Sequence, residues 1–221
     1  FNGPHSLFSD TIRSLRSLAI GHRLGHCLKG EGDVSINLLQ RAIEHGTVTA
    51  LYNVYYGEGR DYYDIRGRVA HESIFNTNDG SYRCPSTQQG YSPFTTWTRG
   101  LSWILCGFAE QLEFLRSLQN TEEGTFNEAI TIFEKAAEAT CDYYIDSTPS
   151  DGIPYWDTGA PGIANIDLNK PADPFNPWEP VDSSAAAIAA QGLLRMGRTC
   201  TDSLKAQRYW QAGLSISKTL L

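Results

Sequence analysis

Gln88, Gln89, Trp97 and Arg99 crowd one stretch of the chain, STQQGYSPFTTWTRGLSWILCGF from Ser86 to Phe108. An indole offers a flat apolar face, a guanidinium a fixed fork of N–H donors for a carboxylate, and carboxamides donate to and accept from hydroxyls. Together they could hold an acidic sugar, with Trp97 under the ring, Arg99 on the carboxylate and the two glutamines on hydroxyls. Composition alone also allows a blander reading, a core tryptophan beside a surface arginine. His22 and His26, spaced i, i+4 with Cys27 adjacent, could share a helix face and a metal. No acidic residue completes an HExxH pattern, and no metal site is expected.

Such residues need a frame. Ser9-Asp10 stands before Ile12, Leu15, Leu18, Ala19 and Leu24, a helical stripe with an N-cap ahead of it. Gly30 and Gly32 would end that helix, and Asp33 or Ser35 would cap a second one carrying Ile36, Leu39 and Ile43 to about Ala50. A third helix is predicted from about Thr95 to Leu118, on Trp97, Leu101, Ile104, Cys106, Phe108, Leu112 and Leu115. A fourth is predicted from about Glu122 to Asp146, with Phe126, Ile130, Phe133, Ala137 and Tyr144 on one side. Asp182 caps a fifth through Ala187, Leu193 and Met196, and Leu204 to Leu221 forms a sixth.

Two stretches break this pattern. Asn53 to Pro93, rich in Gly, Tyr and Asn, is too long for a simple connector and too aromatic for disorder, so it reads as a functional loop. A short strand is expected within it over Arg68–Ser73. Thr148 to Val181 holds seven of the ten prolines and the cluster Tyr155-Trp156-Asp157, which marks it as a second large loop. Short links and long loops thus alternate. Antiparallel helix pairs joined by short turns at one end place every long loop at the other. Repeated around a circle, this gathers the long loops at one mouth, as in an (α/α) toroid. Ala185-Ala186-Ala187 and Ala189-Ala190 permit the close helix approach of an inner ring. Pattern alone leaves a plain helical bundle open.

The 221 residues are 41% hydrophobic and 19% charged, ample for a buried core and unlike a disordered chain. A net charge of −7 without a basic stripe argues against a nucleic-acid partner. No run approaches the roughly 20 apolar residues of a membrane helix. No charged-then-apolar leader opens the chain at Phe1, which leaves cytoplasmic and periplasmic locations open. Cys27, Cys84, Cys106, Cys141 and Cys200 are scattered without a CxxC pair, so free, mostly buried thiols are expected.

Three segments now matter together: DGSYRCPSTQQGYSPFTTWTRGLSW, DGIPYWDTGAP and DSSAAAIAAQGLL. Their order and approximate spacing resemble those of the unsaturated glucuronyl hydrolases, glycoside hydrolase family 88, and the resemblance covers nearly the whole chain from Asp10 onward. It rests on QGY-x(5)-W-x-R-G taken with the DSSAAAIAA helix. It implies an all-α fold, the (α/α)6 barrel, with residues 1–221 as part of one catalytic barrel domain. FNGPHSLFSD at the start and SISKTLL inside a predicted helix make both ends look cut.

The resemblance also implies a chemistry. Polysaccharide lyases leave a C4=C5 double bond in the uronic acid at the non-reducing end, and enzymes of this family hydrate that vinyl ether. An aspartic acid protonates C4, water adds at C5 as the same carboxylate removes its proton, and the hemiketal opens. No cofactor is implied. One carboxyl suffices if burial or a second carboxylate raises its pKa. Asp10, in DTIRSL, matches the family's catalytic position. Asp33, in DVSINLL, matches locally but falls at the wrong end of the helices, and either residue could be a simple N-cap. A helix N-terminus favours the ionised form, so the acid role requires Asp10 to be buried or coupled to another acid. The resemblance places that other acid on an upstream helix, outside residues 1–221.

His71, Gln89, Trp97 and Arg99 match substrate-contacting positions of the family, and Trp156 and Asp157 would line further subsites from a mouth loop. Neutral His71 would hydrogen-bond water or a hydroxyl, unless it only packs against Glu72 or Tyr82. The tyrosine-rich stretch YNVYYGEGRDYYDIRGRVAHES is longer than in shorter members and would reshape the mouth. The expected partner is an unsaturated glucuronate-containing oligosaccharide, with oligomeric state open. Three alternatives stand beside it. One is an unsaturated rhamnogalacturonyl hydrolase. Another is an inverting glycosidase with carboxylates about 6.5–9.5 Å apart. The last is a sugar-binding protein without turnover.

Overall fold

Leu101, Ile104, Leu105, Phe108, Leu112 and Leu115 recur at three- and four-residue spacing, and all are buried along one helix, α3 (Thr98–Gln119). A computed structural model describes residues 5–119 and 126–221. The other helices are α1 (Leu15–Arg23), α2 (Leu38–Tyr52), α4 (Asn127–Ser147), α5 (Ser183–Thr199) and α6 (Ser203–Leu220). Helix α3 packs on α5, α4 and α1, while α2 covers α1 and α4, and α6 covers α5. The odd helices therefore make an inner row and the even ones an outer row, as the alternation of links predicts. Ala185, Ala186, Ala189 and Ala190 are buried on α5. There a side chain on Gly192 would place its Cβ 2.7 Å from the Cα of Cys106 on α3. Among the described residues no helix is long and apolar enough to cross a membrane.

Several boundaries differ from expectation. Residues Ser9–Ser14 form a 3-10 turn, so α1 starts only at Leu15, and neither Ser9 nor Asp10 caps it. Helix α1 stops at Gly25 (φ +71°), not at Gly30 or Gly32. Its end is a Schellman motif, with the His26 N–H on the Gly21 carbonyl and the Gly25 N–H on that of His22. His22 and His26 consequently share no helix face, and His22 instead packs edge-on against Phe114. Residues 24–37 carry a small hairpin, β2 (Leu28–Lys29) on β3 (Ser35–Ile36), and Asn37 rather than Asp33 or Ser35 caps α2 through the Gln40 N–H. The predicted start of the fourth helix at Glu122 lies outside the described residues. Cys106 and Cys141 are buried, but Cys27 and Cys84 are exposed, so the thiols are not mostly buried.

The functional loop also contains more regular structure than the sequence suggested. Strands β1 (Ser6–Phe8), β4 (Glu72–Phe75) and β5 (Tyr82–Ser86) form an antiparallel sheet in the order β1-β4-β5, with Phe8 opposite Glu72. The strand begins at Glu72, not Arg68. Residues before it pair with the chain leaving α2, where Val54 bridges Val69.

Candidate active site

The sheet register brings the two most distant parts of the site together. Because Phe8 pairs with Glu72, the Ser9–Ser14 turn begins beside His71, and the Ser9 N–H donates to the His71 carbonyl at 2.8 Å. Asp10, two residues beyond Phe8, is half-buried, with its carboxylate 3.9 Å from Arg13. Its negative charge reaches His71, where it favours the protonated imidazole against a stronger opposing effect of burial. The net direction for His71 is down from its ordinary value, which keeps the ring neutral.

The neutral ring has a definite tautomer. His71 Nδ1 receives the Gln88 N–H at 3.0 Å and the Gln89 N–H at 3.4 Å, with the Thr87 hydroxyl at 3.2 Å. A nitrogen that accepts backbone N–H groups carries no proton, so the hydrogen sits on Nε2. That Nε2 is buried and has no hydrogen-bond partner among the described residues. Phe8 lies edge-on to the ring at 5.4 Å and Trp97 at 4.9 Å. His71 therefore packs against these two rings rather than against Tyr82.

Trp97 itself is only 6% exposed, so most of the indole is core, as the blander reading has it. The Arg99 guanidinium stands 5.4 Å from its ring centroid and is held by Asp182. Arg99 Nε and Nη2 both reach Asp182 Oδ2 at 3.0 Å, while Asp182 Oδ1 accepts the Ala185 N–H at 2.9 Å and caps α5. Two N–H groups on one oxygen leave the outer donors of the fork for another anion, and the Arg99 side chain is 41% exposed. Gln88 and Gln89 are exposed, and their carboxamides are displayed at the same turn whose backbone holds His71.

The second long loop arrives from the other side. Trp97 bridges Asp157, the Thr98 N–H donates to Trp156 O at 3.0 Å and the Thr158 N–H to Thr96 O at 3.0 Å. These bonds delay the start of α3 to Thr98. Trp156 turns its indole N–H to Glu179 at 2.6 Å, within its own loop. Asp157 is fully buried and faces the opposite way, accepting the Tyr91 N–H at 2.8 Å and the Gly159 N–H at 2.9 Å. Burial pushes its carboxyl above the ordinary range, against these two donors. Trp103 was not singled out from sequence. It lies one helical turn beyond Arg99 and carries the Arg13 guanidinium 5.1 Å from its ring centroid. The i, i+4 spacing from Arg99 on α3 was the available signal. Asp33, by contrast, is exposed in the α1–α2 link, away from this cluster. Among the described residues no group of His, Cys, Asp and Glu is arranged to hold a metal.

The architecture is that of the (α/α)6 barrels, of which this chain supplies about half. The crystal structure of the unsaturated glucuronyl hydrolase of Bacillus sp. GL1 superposes with a TM-score of 0.70 at 22% identity, covering 98% of this chain and 47% of that one. In sequence the chain is similar to an unsaturated glucuronyl hydrolase of Formosa agariphila, 27% identical over 130 residues, which is 58% of this chain and 26% of that protein. It is also 26% identical over 144 residues to an unsaturated chondroitin disaccharide hydrolase of Streptococcus pyogenes, covering 65% of this chain and 30% of that protein. The chain thus spans about half of the structural relative, and the two sequence alignments span less than a third of theirs. No family model matches the chain. The resemblance to unsaturated glucuronyl hydrolases first seen in three motifs therefore holds in both sequence and fold.

Proposed function

We propose that this protein is a glycoside hydrolase acting on unsaturated glucuronyl oligosaccharides produced by polysaccharide lyases, with residues 1–221 belonging to one catalytic (α/α) barrel domain. One observation carries the reading. Asp10, His71, Trp97 and Arg99 come from the turn before α1, the strand-flanking loop and the head of α3, and they meet at one end of the helix array. In this reading Asp10 donates a proton to C4 and the oxygen of water adds to C5. The Asp10 carboxylate takes the proton that water loses, and the hemiketal opens to release the saccharide and a keto uronate. The outer edge of Arg99 holds the sugar carboxylate, and the Nε2–H of His71, covered in the free protein, reaches the incoming water or a hydroxyl once the site accommodates the sugar.

Loss of the ultraviolet absorbance of the C4=C5 chromophore, on lyase-made disaccharides, tests this directly. Asp10→Asn should lower kcat at least ~100-fold, the scale of lost general acid–base catalysis, while leaving affinity largely intact. If Asp33→Asn does so and Asp10→Asn does not, the acid is misassigned. Arg99→Ala should chiefly raise KM. Turnover of saturated substrates would indicate an ordinary glycosidase, binding without turnover a sugar-binding protein, and preference for pectin-derived disaccharides a rhamnogalacturonyl enzyme.

A further inference from the structure

Asp157 has no counterpart among the groups assigned a chemical step, yet it is a fully buried carboxylate at the junction of three site segments. Its backbone bridges Trp97, at the head of the helix that carries Arg99. Its Oδ1 accepts the Gly159 N–H and closes its own loop, while its Oδ2 reaches across 66 residues of sequence to the Tyr91 N–H. The turn it grips is anchored at both ends. At the Tyr91 end stands Asp157. At the other end the Gly90 N–H meets the Thr87 hydroxyl at 2.8 Å, and the Gln88 and Gln89 N–H groups meet His71 Nδ1. Gly90, between the anchors, has no room for a side chain. A Cβ there would stand 2.8 Å from Thr87 Oγ1, 3.0 Å from Asp157 Oδ2 and 3.2 Å from Trp97 Cβ.

We infer that Asp157 is a positioning residue for His71: by holding the Thr87–Tyr91 turn against Trp97, it keeps two backbone N–H groups on Nδ1 and so fixes the proton on the unpartnered, buried Nε2. Without that grip the Tyr91 end of the turn is released, and as Nδ1 loses the donors that forbid it a hydrogen the ring gains access to the other tautomer. The catalytic consequence rests on the function proposed above, whereas the tautomer is a property of the free protein.

The test is a long-range 1H–15N NMR spectrum of the imidazoles of the 221-residue chain, without ligand. Wild type should show His71 as the Nε2–H form alone. Asp157→Ala removes both acceptor oxygens, so the Tyr91 bond is lost. His71 should then become a mixture of tautomers, with kcat down about tenfold and KM changed less. Gly90→Ala displaces the same turn with Asp157 intact and should give the same spectral change, which covers the case in which Asp157→Ala fails to fold. An Nε2–H signal unchanged in a folded variant of either kind would overturn the inference. So would a tautomer mixture already present in wild type. A spectral change with no turnover of unsaturated uronides by wild type would instead remove the proposed function and leave the positioning role standing.

Discussion

The loop over residues 53–97 closes on a buried cation, whereas the loop over 148–182 relies on side-chain acceptors and backbone bonds without such a cation among its described residues. The first has side-chain acceptors in addition, such as Asp64 for three backbone N–H groups. In the first, Arg68 is 1% exposed and lays its guanidinium 3.7 Å from the Tyr55 ring centroid, with Asp61 at 3.3 Å and the Pro93 carbonyl at 3.4 Å. Arg60 packs on the same tyrosine at 4.5 Å. In the second, seven prolines donate no hydrogen bond, and the remaining N–H groups divide between backbone carbonyls and side-chain oxygens. Asp151 accepts from Ile153 and Ala172, Asp173 from Phe175, Asn176 from Trp178 and Glu179, and Glu179 from Gly162. The first loop ends at the head of α3 and the second at the head of α5, and Asp157 of the second bridges Trp97 at the end of the first. The contrast teaches that a cation at the centre of a loop adds one interaction that cannot be spared to a set of small ones that each can.

Arg68→Ala should break this comparison most sharply. It strips the Tyr55 face and leaves Asp61 without its partner, a loss of about 3 kcal/mol in urea unfolding on the scale of broken buried pairs. A loss below about 1 kcal/mol, ordinary for a surface ion pair, would show that the first loop shares its load as the second does. Asp182, where the second loop ends, offers a finer cut. Asp182→Ala should cost about 1 kcal/mol through the lost cap on α5, while Asp182→Asn should keep the cap. Both should raise KM for an acidic sugar by freeing Arg99. Equal stability of the two variants would mean that the Ala185 bond contributes nothing.

The smallest effect is on pH. Burial lowers His71 in the first loop and likewise His45 on α2, both from the ordinary 6.5. The unfolded chain then takes up protons before the folded one, so stability declines as pH falls below about 6.5 and levels off once both rings protonate in the folded state. His71→Asn should flatten that decline in urea midpoints, and an unchanged slope would show that folding leaves this imidazole as easily protonated as before.

The helical half of the molecule was plain in the sequence because its signals are local. The three- and four-residue spacing on α3 and the Asp182 cap both report on neighbours within a turn. Even there α1 was misjudged, since Gly25 ended the helix before the later glycines. The mouth was legible in its residue types but not in its connections. Strand β1 spans three residues and finds its partner β4 across more than sixty positions, too short to give alternation and too distant to infer. Asp157 reads from the sequence as a residue lining a subsite, whereas it is fully buried, because its decisive bond, to Tyr91, is with a backbone N–H that no sequence pattern marks. Arg99 reads from the sequence as the partner of a sugar carboxylate, and the hold that Asp182 takes on it, 83 residues away, is one that no local pattern marks.

That hold has a consequence for affinity. An arginine free in solvent samples many rotamers, and fixing a long side chain at an interface costs roughly 0.5–1.5 kcal/mol. With Nε and Nη2 of Arg99 on one oxygen of a buried carboxylate, that entropy is surrendered when the chain folds. An arriving anion meets a cation already aimed, and its recognition is correspondingly tighter than the same contact made by a mobile side chain.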